Sequence, residues 1–140
     1  MEKILSLIQE KNMYLEKFCG INTEQIKKLN AGNFQELEAF RESREKILNI
    51  LKHLDALLSA HAATVDEEGI LAPQRTDLRR LLDRKDDLVR IVLRQDIDIM
   101  GAIEIAKSEI IRQLRSVVRG RKTIKSYKSG AAKDGLDEEI

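Results

Sequence analysis

The feature that most limits this chain is how seldom anything interrupts it. Pro73 is the only proline in 140 residues, and seven glycines are spread thinly between long amphipathic stretches. A sandwich or barrel needs a turn every ten residues or so, with the Gly, Pro and Asn chemistry to make it. This chain supplies two such places in its first hundred residues, so the fold class it predicts is all-α. Charged residues make up 35% of the chain and aromatic residues 4%. That composition suits long helices packed in coiled-coil fashion, with few bulky side chains for a thick core.

Three helical stripes follow from the spacing of apolar residues. In the first, Ile4, Leu5, Ile8, Leu15, Phe18, Cys19, Ile26 and Leu29 mostly recur three, four or seven apart, which predicts a helix over about 2–30. Asn30-Ala31-Gly32-Asn33 then offers a glycine to end that helix and an asparagine to cap the next, with Glu36 completing a capping box. The second helix is expected over 34–63, through Leu37, Phe40, Ile47, Leu51, Leu54 and Leu58. Two arms of similar length joined by a tight turn pack antiparallel. Val65 to Pro73 breaks the pattern, and a third helix is expected over 73–127, because proline suits a first helical turn. Residues 128–140, with two glycines and an acidic end, are expected to be a mobile tail. Residues 1–127 are read as a single elongated helical domain.

The third stripe is nearly twice as long as either arm. Running back along the hairpin, it reaches the turn near residue 103. If straight, it carries a further ~35 Å of helix beyond the turn. Ile103, Ile110, Ile111, Leu114, Val117, Val118 and Ile124 lie on that part, and an apolar stripe without an intramolecular partner marks a site for another chain. The alternative is a kink at Gly101 or Gly120, with the last segment folded back as a fourth helix. The same stretch is basic: Arg112, Arg115, Arg119, Arg121, Lys122, Lys125 and Lys128 occur with no Asp or Glu between Arg112 and Lys128. The macrodipole favours cations near a helix C-terminus. An acidic protein, nucleic acid or a membrane surface are the functional readings. Nucleic acid ranks low, since only Gln113 and Tyr127 could read or stack on bases. The acidic tail is a further candidate to fold back onto this basic helix.

Formal net charge is +1, so any attraction of polyanions has to come from a local patch. Cys19, the only cysteine, cannot form an internal disulfide, and the N-terminal residues lack the apolar run of a signal peptide, so a cytoplasmic location is expected. No apolar run approaches the ~20 residues needed to cross a bilayer, so no membrane insertion is expected. Chemistry is poorly supported. His53 and His61 are eight residues apart and form no i, i+4 pair, Cys19 sits on the apolar side of its helix, and Gly120-Arg121-Lys122-Thr123 lacks the glycine and strand of a phosphate loop. No enzyme activity, cofactor or metal is expected. Arg44 and Asn22 interrupt the apolar stripes; such residues either snorkel outward or set register across a helix seam.

The segment Ile26 to Leu48 resembles the flagellar export chaperones of the FlgN and FliT type. Leu29, Gly32, Asn33, Leu37, Arg44, Glu45, Ile47 and Leu48 stand at the places of that family's turn and charged second helix, with Asn33 where an Asp is commoner. The long third helix, Tyr127 and the glycine-containing tail are also similar. The resemblance implies a cytoplasmic chaperone that keeps a secreted flagellar subunit, such as a hook–filament junction or cap protein, monomeric until export. It puts client binding on Ile103, Ile110, Leu114, Val117 and Val118, and docking to the export apparatus on Tyr127. Arg112, Arg115 and Arg119 would then steer the acidic flanks of the client's amphipathic helix. A self-associating scaffold, dimeric through the C-terminal helix, is the alternative function.

Overall fold

The computed structural model describes residues 1–131, with side chains to residue 124. The expected acidic tail, apart from its first few residues, lies outside the described residues, as does the side chain of Tyr127. The fold is all-α among the described residues: α1 (Glu2–Asn30), α2 (Leu37–Ala62) and α3 (Ala72–Ala131), with a short 3₁₀ turn at Glu67–Gly69. The chain divides into two compact units, Met1–Ala102 and Ile103–Ile140.

The first unit holds α1, α2 and the first half of α3. Ion pairs Lys11–Asp55 and Lys28–Glu36 show α2 running antiparallel to α1, because the partner's number falls as that of α1 rises. Between α1 and α3 the numbers rise together. Asn12 donates to the Leu81 carbonyl at 3.0 Å, the Cys19 thiol approaches the Leu88 carbonyl at 4.0 Å, and Asn22 donates to Gln95 Oε1 at 3.1 Å. The separations are 69, 69 and 73 residues, so α1 and α3 lie parallel and Leu29 stands at about the level of Ile99. At the centre, Leu15, Phe18, Leu51 and Leu88 form the core cluster, with Ile47, Val89 and Val92 packed against it. Phe18 is 1% exposed and Leu88 2%.

The turn between α1 and α2 confirms one expectation and corrects another. Gly32 has φ +77°, a left-handed conformation that favours glycine, and its N–H donates to the Leu29 carbonyl while the Asn33 N–H donates to Lys28. These two bonds are the Schellman closure of a helix C-terminus. Asn33, however, does not cap α2. Its side chain accepts from the Gln35 N–H at 3.1 Å, making a local turn, and α2 starts only at Leu37, with no side-chain cap. The expected capping box fails because Glu36 is drawn away to Lys28.

The second connection is tied down by Asp66, which accepts from the Glu68 N–H, and by Arg75, which donates to the Glu67 carbonyl. Pro73 falls in the first turn of α3, where its missing N–H costs nothing. Gln74 accepts from the Leu71 N–H at 3.3 Å, half of a capping box. Along its length α3 is one helical element through Gly101 and Gly120, and no fourth helix forms among the described residues.

The inward face of α1 is more polar than its apolar stripe suggested. Asn12, Asn22 and Gln25 are buried, Asn22 completely, while Ile26 is only half-buried. Keeping the three–four rhythm from Asn22 to Leu29 puts Gln25 inward and turns Ile26 aside. Asn22 is met by Gln95, which also donates to the Cys19 carbonyl and to Thr23 Oγ1. Arg44 bonds Asp96 at 2.9 Å and lies over the Phe18 ring at 5.4 Å from its centroid. Both interrupting residues therefore reach across to α3. A register slip would separate Asn22 from Gln95 and Arg44 from Asp96 together.

Candidate functional site: an exposed apolar row on α3

The second unit is described from Ile103 to Ala131, all of it α-helical. The i→i−4 ladder satisfies the backbone internally, so no tertiary contact is needed for its polar groups. What the helix leaves open is its side chains. Every residue from Lys107 to Ile124 is exposed. Ile110, Leu114, Val117 and Val118 are between 50% and 60% exposed, whereas Leu88 and Ile99 on the inward face of the same helix in the first unit fall below 10%.

Helical spacing sorts the expected site residues into two rows. Ile110, Leu114 and Val117, at i, i+4 and i+7, share one face, and Ile111 and Val118 widen it on one side. Three of every seven positions are thus apolar, a face wider than a two-stranded coiled-coil seam. Arg112, Arg115, Arg119 and Lys122, at steps of three and four, form a second row on another side of the helix. Arg112 and Arg119 stand further round the helix from the centre of the apolar row than Arg115 and Lys122. Arg115, Arg119 and Lys122 share a shallow groove with Ile111, Leu114 and Val118 of the apolar row.

Ile103 stands apart from the rest of the expected set: it is half-buried, and no apolar residue follows at 107 to link it to Ile110. Arg112 is held by Glu109 at 2.7 Å. Arg115, Arg119, Arg121 and Lys122 make no ion pair among the described residues, so their charge is available to a partner. Arg121 falls in the apolar row itself, between Val117 and Ile124. Tyr127 lies within α3, and its side chain is outside the described residues.

Sequence spacing overlooked a second set of uncovered apolar residues, in the first unit. Leu93, Ile97 and Met100 are 58%, 71% and 68% exposed, although the first half of the third stripe was expected to be covered by the hairpin. The signal was present in the heptad phase. Leu88, Val92, Gln95 and Ile99 keep the inward rhythm, while Leu93, Ile97 and Met100, at steps of four and three, share a different face of the helix. An open groove of about 530 Å³ also runs between α1 and α2, floored by Ile21, Phe40 and Ile47 and crossed by the Lys28–Glu36 pair.

Among the described residues no three His, Cys, Asp or Glu side chains gather as a metal-binding set. Burial pushes the Cys19 thiol above its ordinary value, so it stays protonated and packs as a small apolar group. No helix among the described residues is long and apolar enough to cross a membrane. Comparison with the models of known protein families, with curated proteins and with solved structures finds no match for this chain.

Proposed function

We propose that this protein is a non-enzymatic cytoplasmic export chaperone: it binds an amphipathic terminal helix of a secreted flagellar subunit and keeps that subunit monomeric and competent for export. The observation that carries this reading is the exposure of Ile110, Leu114, Val117 and Val118 on one face of α3. A face three-sevenths apolar and half or more exposed exceeds the scattered apolar residues of a monomer surface. An amphipathic client helix laid along it satisfies the stripe, and Arg115 and Lys122 at its edge favour a client with acidic flanks. The resemblance of Ile26–Leu48 to the FlgN and FliT chaperones supplies the flagellar client, a hook–filament junction or cap subunit, and gives Tyr127 the role of docking to the export apparatus.

A self-associating scaffold is the other reading of the same stripe. It is disfavoured by charge, since two copies paired through the apolar row would bring together Arg115, Arg119, Arg121 and Lys122, which lie in or beside that row, without an intervening acid. Co-purification of the full-length chain and of its Leu114→Asp/Val117→Asp variant from flagellated cells tests the proposal. A secreted flagellar subunit is expected with the first and is lost with the second, while light scattering shows the same mass for both chains. Wild-type preparations without any flagellar subunit overturn the flagellar reading. A variant that turns a dimer into monomers establishes the scaffold instead.

A further inference from the structure

A client helix would use one face of residues 103–124 and leave the other unexplained. The apolar row of Ile110, Ile111, Leu114, Val117 and Val118 and the basic row of Arg112, Arg115, Arg119 and Lys122 are centred about 120° apart at 3.6 residues per turn. A single helix docked on the apolar row would meet Arg115, Lys122 and, at the edge of the groove, Arg119, but not Arg112. A flat anionic surface against the apolar row behaves differently. The helix is about 10 Å across, close to one Debye length, so all four cations feel that surface.

We infer that the Ile103–Ile124 segment of α3 is an interfacial helix that adsorbs in the plane of an anionic lipid surface. Its apolar row enters the acyl boundary while Arg115 and Lys122, at the edge of the row, meet the phosphates. A basic polar face opposite an apolar row, on a helix too polar to span a bilayer, is the physical signature of such a segment. Glu104 and Glu109 at the start of the segment are paired with Lys107 and Arg112, and no Asp or Glu lies between Ile110 and Ile124. The whole chain carries only +1, which confines the attraction to this patch. Arg121, inside the row, has a stem long enough to lie along the apolar face and return its guanidinium to the headgroups. Nucleic acid fits less well: between Ile103 and Ile124 there is no aromatic residue to stack on a base and no asparagine, which leaves Gln113 as the one amide side chain to read adenine. Adsorption is a property beyond client binding. Lipid and client would compete for one row, so adsorption would release a client at the membrane.

The test is flotation of the full-length chain with vesicles of phosphatidylcholine alone and of phosphatidylcholine with about a third phosphatidylglycerol, at low and at physiological salt. No client is present, so a failure in flotation leaves the client reading standing. Binding is expected on the anionic vesicles only, and weaker in salt. Each basic residue near such a surface is worth about a factor of five in partitioning. Arg115→Glu/Lys122→Glu should lower it about a hundredfold or more, and Arg112→Glu/Arg119→Glu, further from the phosphates, about tenfold. Leu114→Ser/Val117→Ser should lower it as strongly as the first pair. All these positions are exposed, and unchanged far-ultraviolet circular dichroism verifies that the variants remain helical. Equal binding to neutral vesicles, no binding to anionic ones, or an unaffected Leu114→Ser/Val117→Ser variant overturns the inference. So does equal loss from both charge pairs together with binding to duplex DNA, which would mean an unspecific polyanion site.

Discussion

Two stretches of one helix, built from nearly the same residues, meet opposite fates. Leu88 and Ile99 in the first unit are 2% and 3% exposed, whereas Leu114 and Val117 in the second are 60% and 52% exposed. Both stretches repeat aliphatic residues at steps of three and four and set them among Arg, Lys and Gln. The difference lies in what stands opposite. Leu88 faces Leu15, Phe18 and Leu51 across the hairpin, while the second unit consists of helix alone among its described residues. Periodicity in a sequence therefore reports that a face is apolar and is silent about what covers it.

The sharpest way to break this contrast is to empty the two faces in turn. Phe18→Ala removes the most deeply buried aromatic and is expected to cost about 3–5 kcal/mol in urea denaturation, since its cavity cannot be filled by water or by a neighbour. Leu114→Ala should change stability by no more than about 0.5 kcal/mol. Comparable losses at both sites would mean that the second unit's row is covered within the folded chain, and the contrast between the two stretches would disappear.

A smaller effect is expected at the polar seam. Asp96→Ala leaves the Arg44 guanidinium half-buried without its partner and should cost about 1–2 kcal/mol. Replacing both, as Arg44→Met/Asp96→Leu, should return most of that loss or exceed the wild type, because the unpaired Asp96 Oδ1 disappears too. A double variant as unstable as the single one would show that the pair contributes more than register.

Gly120→Ala probes the second unit alone. Nothing lies within 4 Å of a Cβ built there, so the substitution should raise helicity by the propensity difference, about 1 kcal/mol, with no change in the unfolding midpoint of the first unit. The smallest expected effect is chemical. Because burial raises the Cys19 thiol, iodoacetamide should label it slowly in the native protein, with the rate climbing only above the pH range of a free thiol. The neutral form is the one the fold favours, so stability owed to this group is present below the free-thiol pKa and lost as pH rises through the raised value. Native labelling as fast as in urea would contradict the packing of α1 on α3.

Much of the first unit was legible. The antiparallel hairpin follows from two equal stripes around Gly32, whose positive φ only glycine adopts freely, and the start of α3 follows from Pro73. The errors share one origin, that residue type was read where only position counts. Asn33 looked like a cap, yet its side chain serves a tighter local turn and Glu36 prefers Lys28. Ile26 looked like core, yet the rhythm buries Gln25. Arg44 and Asn22 gave a truer signal, because a polar residue inside an apolar stripe has to find a partner, and both found theirs on α3. The row at Ile110–Val118 was legible as residues, while the groove in which Arg115, Arg119 and Lys122 line it emerged only in the folded helix.

If the Ile110–Val118 row exists to be covered by another molecule, that molecule can be caught on it. Site-specific photocrosslinking in cells that express the full-length chain tests this most directly, with a photoreactive residue at Leu114 and, as a control, at Ser59 on the exposed side of α2. A discrete adduct with an exported flagellar subunit is predicted from position 114 and none from position 59. Adducts confined to a second copy of the chain, or equal background at both positions, would contradict the proposed chaperone role.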